Sequence, residues 1–420
     1  MKKIVFGLFV SVACFTISSC SSDEPLADGR ELNQSVSRIQ YRKSVKDALA
    51  TADKMFAAME GTSMTRSGRS VESIEIIGDA EKALTRSGES ENDTIFYLVN
   101  YSDNSGFALL SSDWRTKPVY AISDEGNLNI SDTIFNRGLA LFMKNAREDF
   151  DCYARGPVNT EFDSTAHIKP GIGGPTLPTD DDYKFEILRN VKPILNKEPL
   201  RWNQTMPFNK YCPTTNSGNH YYVGCVAVAL TQLLSVAGVP NYFEGRSYDW
   251  NAINEASVYY WDSKEMDDLA FFMASIGKSK YLDMNYEDDG SGARFGKIHS
   301  MLCYFGLNSS GILKYSGSIP SSSYPVAMCA SNSKKDSGHA WILDGVYSYK
   351  ITSNMYEDGY AYYHYEHCVW GWGGKANGYY SWSNKYGFGS TPHHYGENDN
   401  KTTSDQTGDY VNDFQYIYIK

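Results

Sequence analysis

The chain has 420 residues, of which 41% are hydrophobic, enough for two or three domains with sizeable cores. Its formal net charge of −11 argues against nucleic acid as a main partner, because an acidic surface repels a phosphate backbone. The 32 tyrosines and 35 glycines favour strands and turns over long helices.

The N-terminus has the pattern of an export signal. Lys2 and Lys3 precede an apolar core that runs from Ile4 to Ile17, too short to span a membrane comfortably. The core ends in Ile17-Ser18-Ser19-Cys20, which resembles a bacterial lipobox. We therefore expect residues 1–20 to be a lipoprotein signal peptide and Cys20 to carry lipid on an outer membrane or cell surface. The alternative is an ordinary signal peptide with a coincidental cysteine.

Residues 21–155 are predicted to form a small α+β domain. A helix is expected over 45–59, with Ala48, Ala52, Phe56 and Met59 on one face. A basic, serine-rich stretch over 65–88 is expected to be a loop. Further elements are expected as a hairpin of strands 94–101 and 106–113, a strand over 118–122 and a helix over 134–153.

Residues 156–182 are rich in glycine and proline and end in three aspartates, a composition typical of a linker. A second domain is therefore expected over 183–420. Every candidate for chemistry lies in it, which suggests that the first domain is not catalytic.

The strongest candidate for a nucleophile is Cys225. It follows Gly224 and begins an apolar segment with helical spacing that runs to Gly238 and Pro240. A thiol in the first turn of a helix ionises readily, because unpaired N–H groups and the helix dipole stabilise the thiolate.

A base is offered by His339, at the head of the apolar strand that runs through Asp344-Gly345. A cysteine followed by a histidine more than a hundred residues later is the order found in papain-type thiol hydrolases. His367 is the rival base. Gln204, some twenty residues before Cys225, suits an oxyanion hole with the Cys225 N–H, although a single loop glutamine is weak evidence.

Trp370 and Trp372, separated by a glycine, would form a wall of the active site. The alternative is that both indoles pack in the core next to a glycine turn. No metal site or cofactor is expected. His364 and His367 should lie on opposite faces of a strand, and solvated surface positions are expected for both and for His393 and His394. The five cysteines other than 14, 20 and 225 have no CxxC spacing, although one or two disulfides remain an option.

Together these blocks resemble the streptopain family of papain-fold cysteine proteases. The matching segments are Trp202-Asn203-Gln204, Gly224-Cys225-Val226-Ala227, Gly338-His339-Ala340 and Trp370-Gly371-Trp372-Gly373-Gly374. The front domain resembles the family's inhibitory propeptide through 96–101 and 106–115, and 284–293 resembles a stretch near the substrate cleft. The resemblance implies a papain-like catalytic domain behind an α+β propeptide, with activation by cleavage in 156–182.

One position departs from the family pattern. Relatives carry asparagine directly before the Trp-Gly-Trp-Gly-Gly run, where its amide can orient the catalytic imidazole, whereas this chain has Val369. On this basis a Val369→Asn substitution is expected to raise the rate.

The expected function is that of an exported, lipid-anchored cysteine endopeptidase made as a zymogen. Its partners would be polypeptide substrates, its own propeptide and a membrane, with release after propeptide cleavage as a further option. Cys225, His339, Gln204 and Trp370 would form the site. The alternative for the whole protein is a catalytically impaired homologue that acts as a surface binding or inhibitor-like protein. The alternative for the first domain is an independent domain that binds something other than the active-site cleft.

Overall fold

The computed structural model describes residues 41–61, 69–78, 94–155, 184–288, 290–315, 319–331, 338–353, 359–381 and 414–420. The predicted signal peptide, Cys20, the linker, His393 and His394 lie outside these ranges. Within the described part of the chain, no helix is both long and apolar enough to cross a bilayer.

Six α-helices are described. They are α1 (Val45–Glu60), α2 (Arg137–Arg155), α3 (Cys225–Ala237), α4 (Trp250–Glu255), α5 (Lys264–Ile276) and α6 (Lys297–Tyr304). Helix α1 begins after Ser44, whose hydroxyl accepts from the N–H of Asp47, and ends at Gly61 in the left-handed conformation. Helix α2 follows a 3-10 helix (Ile130–Ile134), and the Asn136 side chain caps it by accepting from the N–H of Leu139.

The strands of the first domain are β1 (Val71–Gly78), β2 (Thr94–Tyr101), β3 (Phe107–Ser111) and β4 (Val119–Ser123). The later strands are β5 (Lys184–Val191), β6 (Tyr242–Phe243), β7 (Arg246–Ser247), β8 (Asn285–Glu287), β9 (Gly290–Gly292), β10 (Leu313–Lys314), β11 (Val326–Ser331), β12 (Gly338–Thr352), β13 (Tyr360–Val369), β14 (Gly378–Ser381) and β15 (Gln415–Tyr418). Strands β6–β7 and β8–β9 form two small hairpins.

The other strands form one 11-stranded sheet in the order β1-β2-β3-β4-β14-β13-β12-β11-β15-β10, with β5 paired to the C-terminal half of β12. The sheet passes from the first domain to the second where β4 pairs with β14, at Ile122 opposite Tyr379 and Ala121 opposite Tyr380. The two domains therefore share backbone hydrogen bonds as well as side-chain contacts.

The register of β12 decides which side chains meet which helix. Ala340 and Ile342 lie in the core built around α3, whereas Trp341 and Leu343 lie in the core beneath α2. A register shift between Leu343 and Gly345 reverses the alternation farther along the strand. As a result the later tyrosines of β12 share a third core with helix α1.

The predicted α+β class, the helix near 45–59 and the hairpin of β2 and β3 are confirmed. The prediction of a loop throughout 65–88 is wrong, because β1 pairs with β2 along its length. The alternation of Ile74 and Ile76 with polar residues indicates a strand, but the polar residues on either side of β1 obscure this pattern in the sequence. The second predicted helix begins at Arg137 rather than at Ile134.

Candidate active site

Cys225 lies at the first residue of helix α3, as the sequence predicts. Gly224 before it has φ of +94°, and a Cβ there would collide with Met284 Cε and lie 2.9 Å from the carbonyl oxygen of Ser291. Only glycine fits this position. Met284 and the hairpin of β8 and β9, within the segment expected at the cleft edge, therefore pack against the residue that precedes Cys225.

The Cys225 side chain is half-buried, and burial raises the pKa of its thiol. Hydrogen bonds from backbone N–H groups, including that of Ala340, oppose this increase, as does the positive charge of Arg137. Ala340 directly follows His339, so the head of β12 lies against the start of helix α3. The structure thus brings the two predicted residues together.

His339 is buried, and its Nε2 lies 3.0 Å from the carbonyl oxygen of Trp370. A carbonyl can only accept, so Nε2 carries the proton and Nδ1 of the neutral ring is left with its lone pair. Burial, with a smaller contribution from the charge of Arg137, lowers the pKa of His339 to about 4. Among the hydrogen bonds of the described residues, none joins this ring to the Cys225 thiol.

Gln204 is buried beside the segment that leads into Cys225. The backbone carbonyl oxygen of Gln204 accepts from the N–H of Val223 at 2.9 Å, and its backbone N–H donates to Asn203 Oδ1 at 2.7 Å. The side-chain Nε2 is buried with no hydrogen-bond partner in the described structure. An unpaired buried donor costs about 1–3 kcal/mol, so this amide is available for an acceptor that is not part of the resting protein.

Trp370 is completely buried, and the backbone around it is firmly held. Its N–H donates to Asn377 Oδ1 at 3.1 Å, its indole N–H donates to the carbonyl of Ala376 at 3.0 Å, and its ring lies 6.3 Å from that of His339. Asn377 in turn donates to the carbonyl of Leu200 at 2.9 Å. Sequence reasoning missed Asn377, whose only signal is its place in the glycine-rich turn before β14.

Val369 faces away from the imidazole. It is fully buried in the α3 core and pairs with Ile342 across β12 and β13. The hydrogen-bond partner of the His339 ring is the carbonyl of the next residue, Trp370. A backbone group accepts the bond, and the residue type at 369 carries no information about it.

The expectation of solvated positions for His364 and His367 is wrong. His367 is buried, and its Nδ1 lies 2.6 Å from Asp344 Oδ1, while the other Asp344 oxygen accepts from the N–H of Leu195. His364, on the opposite face of β13 as predicted, bonds Ser348 Oγ at 2.6 Å and a Glu366 oxygen at 2.9 Å. His367 is thus shielded from water, whereas the His364 side chain is 16% exposed and held by its two hydrogen bonds.

Helix α2 of the first domain lies on the imidazole. A Cβ added to Gly138 would lie 2.7 Å from His339 Cδ2 and 2.5 Å from Trp370 Cζ3, so only glycine allows this approach. The neighbouring Arg137 reaches the cleft-edge hairpin, where its Nη2 is 3.8 Å from the position of a Cβ on Gly290. The first domain therefore covers the site with the start of α2, a contact that the sequence did not predict.

Comparison with known proteins identifies the family of each part of the chain. A model of the Peptidase C10 family matches residues 202–380, and a model of the Spi protease inhibitor matches residues 34–150. The chain is a streptopain-like cysteine protease zymogen. It is a cysteine-type endopeptidase that carries its own inhibitory domain and acts on polypeptides.

The relatives of this zymogen are distant in sequence. Streptopain from Streptococcus pyogenes serotype M1 is 23% identical over 385 residues, which cover 80% of this chain and 83% of that protein. The thiol protease/hemagglutinin PrtT from Porphyromonas gingivalis is 22% identical and covers 68% of this chain, but only 33% of PrtT is matched. A prointerpain A fragment from Prevotella intermedia aligns at 19% identity over 73% of this chain and 91% of the fragment, with a TM-score of 0.46.

Proposed function

We propose that Cys225 and His339 form the catalytic dyad of this peptidase once the first domain has left the cleft. Nδ1 of His339 takes the thiol proton, and the sulfur attacks the carbonyl carbon of the scissile peptide. The same imidazole then protonates the leaving amine. Water subsequently hydrolyses the thioester, with Nδ1 again acting as the base. The Trp370 carbonyl, by holding Nε2–H, keeps the ring in the tautomer that this chemistry needs.

The oxyanion formed in both steps needs hydrogen-bond donors. We assign this role to Gln204 Nε2 and the backbone N–H of Cys225. The observation that carries the assignment is the buried, unpaired Nε2 of Gln204, held beside the nucleophile segment by the bond between Val223 and its carbonyl. A donor that is desolvated before the substrate arrives does not need to reorganise during the reaction.

Latency follows from the same contacts. With the start of helix α2 in place, burial keeps the thiol protonated and the imidazole neutral, so a thiolate–imidazolium pair does not form. Arg137 further disfavours a charged imidazole. Removal of the first domain admits water to both groups and takes away this positive charge. We propose residues 21–155 as the inhibitory propeptide, 156–182 as the region of activating cleavage and 183–420 as the catalytic domain.

Export and anchoring are proposed from the N-terminal sequence. Residues 1–20 have the pattern of a lipoprotein signal, and Cys20 would carry the lipid on an outer membrane or cell surface. Cleavage in 156–182 would then break the covalent link between the catalytic domain and the lipid anchor. Globomycin treatment of expressing cells tests this: accumulation of the unprocessed precursor is expected, and normal processing would point to an ordinary signal peptide.

The alternative of an impaired homologue depended on Val369. Because the Trp370 carbonyl supplies a hydrogen bond to the ring, the valine is not evidence of a damaged site. We therefore retain the peptidase as the function of the mature domain.

The decisive experiment combines labelling with proteolysis. The activated protein is incubated with a denatured protein substrate, with and without a thiol-alkylating epoxide, and intact-mass analysis locates the label. Cys225→Ala should abolish both labelling and cleavage. Cys303→Ala removes an exposed free thiol and serves as the matched control, which should retain both. Substantial cleavage by Cys225→Ala would rule out the proposed nucleophile.

A further inference from the structure

Strands β12, β13 and β14 carry a dense group of aromatic side chains far from the cleft. We call it the tyrosine face; it comprises Tyr347, Tyr349, Tyr363, Tyr365 and Tyr379. All of them are at most 4% exposed. Tyr349 follows His339 by ten residues, roughly 30 Å along an extended strand. The tyrosine face therefore does not belong to the active site.

The tyrosine face is covered by the propeptide. It shares one core with the apolar side of helix α1, formed by Ala48, Ala52, Met55 and Phe56. Phe185 of β5 joins the same core, with its ring 5.4 Å from that of Tyr349. A helix that itself forms part of the removable domain thus covers the face.

Other contacts join the two domains near this core. The hydroxyl of Tyr365 donates to the carbonyl of Val119 at 2.7 Å, and Lys117 Nζ lies 3.2 Å from Ser381 Oγ. Lys192 Nζ donates to the carbonyl of Met59, at the end of α1. Together with the pairing of β4 and β14, these bonds lie outside the segment that would be cut.

Loss of the propeptide would expose this surface to water. Each tyrosine buries on the order of 150–250 Å² in all. Part of this area is buried against neighbouring tyrosines and Phe185, and the part that faces helix α1 would become an exposed apolar patch. Burial of such area favours association without any covalent link. The physical expectation is that the propeptide stays in place after the chain is cut.

We propose that the tyrosine face retains the severed propeptide, so that cleavage yields a latent two-chain complex and activity appears only when helix α1 leaves this face. The proposal rests on the proposed function of the cleft. It divides the propeptide into an anchor, helix α1, and an inhibitory element, Arg137 and Gly138 at the start of α2. Substitutions on helix α1 should therefore change retention and, through release of the propeptide, activity, whereas substitutions at Arg137 and Gly138 should act directly on inhibition.

The test uses the full chain in a Cys225→Ala background, with a recognition sequence for a site-specific protease placed within 156–182. After cutting, size-exclusion chromatography at micromolar concentration should show the two fragments in one peak. Ala52→Glu on helix α1 should separate them or raise the dissociation constant at least tenfold. Lys46→Glu, on the exposed side of the same helix, makes a larger change of charge and should leave the fragments together.

A second variant guards against misfolding of the propeptide. Ala361→Glu places the same charge on the catalytic-domain side of the core, where Ala361 is 1% exposed and shares the core with helix α1. It should weaken retention to a similar degree. Separation of the unmodified fragments directly after cutting, or retention unaffected by both glutamate substitutions, would overturn the proposal.

The same cut in a chain that keeps Cys225 separates this proposal from the proposed function. Cut protein should remain latent, and Ala52→Glu should become active on a short peptide. If the fragments separate but no peptide is hydrolysed, the assigned dyad is wrong and the retention result still stands. If cutting alone gives full activity, the dyad stands and retention by the tyrosine face is refuted.

Discussion

Gly138 offers the sharpest test of how the propeptide silences the site. Gly138→Ala would place a methyl group 2.5 Å from Trp370 Cζ3 and 2.7 Å from His339 Cδ2, well inside contact distance. Overpacking of this kind costs about 1–3 kcal/mol. Alanine also stabilises a helix by up to about 1 kcal/mol relative to glycine, but that gain applies equally to docked and undocked α2. Only the collision therefore affects docking.

The expected change follows from these energies. A loss of about 1–3 kcal/mol in docking raises the population of the open state by about 5- to 150-fold. The assay is the rate at which a thiol reagent labels Cys225 in the intact, uncut chain, followed by intact mass. This rate reports opening before any self-processing. Labelling should accelerate in proportion to the open population.

The control substitution lies on the same helix. Glu148→Ala removes one partner of the surface pair with Lys144, whose charged atoms are 3.5 Å apart, and should leave the labelling rate within about twofold. An unchanged or slower rate for Gly138→Ala would refute the reasoning. It would mean that the start of α2 does not bear on the imidazole in solution.

Four further outcomes are expected. Gln204→Ala should lower kcat of the activated enzyme by about 10²–10³ with little change in KM, as measured on a short peptide; an effect on KM alone would contradict its role as oxyanion donor. His367→Ala should retain the catalytic rate but lower the free energy of unfolding, measured by denaturant titration, by about 3–5 kcal/mol, because Asp344 loses its buried partner. Loss of peptidase activity in this variant would instead indicate that His367 is the base. With the propeptide docked, burial lowers the pKa of His339 from its ordinary 6.5 to about 4. If undocking returns the ring to water, the docked state binds fewer protons and propeptide release from a cut chain should increase as pH falls through this window; release independent of pH would contradict the idea that docking buries the ring. Val369→Asn should destabilise the protein by about 1–3 kcal/mol without raising the rate, since the amide would be buried unpaired in the α3 core; faster turnover would restore the view that this position orients the imidazole.

The sequence was informative wherever a function depends on local pattern. The start of helix α3 could be predicted because glycine, cysteine and an apolar helical repeat occur together within a few residues. His339 could be placed at the head of a strand for the same reason, and helix α1 from the spacing of its alanines. These features depend on neighbours in the chain, which a sequence displays directly.

The contacts between distant segments could not be predicted in this way. The partner of the His339 ring is a backbone carbonyl, and every residue type offers one, so Val369 was misleading. His367 was expected at a solvated surface position, yet it is buried against Asp344 and Tyr379, which other strands of the sheet supply. Gly138 and Arg137 have no local pattern that points to a cleft whose nucleophile is almost ninety residues away.

The sequence by itself determined the class of chemistry, the order of the two domains and the residues that could act as nucleophile, base and oxyanion donor. Only the tertiary structure decided that the start of helix α2 lies on the imidazole, that a carbonyl orients the ring and that helix α1 covers the tyrosine face. The physical reason is that local propensity is set by neighbours along the chain. Burial and the resulting pKa shifts depend instead on which remote surfaces the sheet brings together.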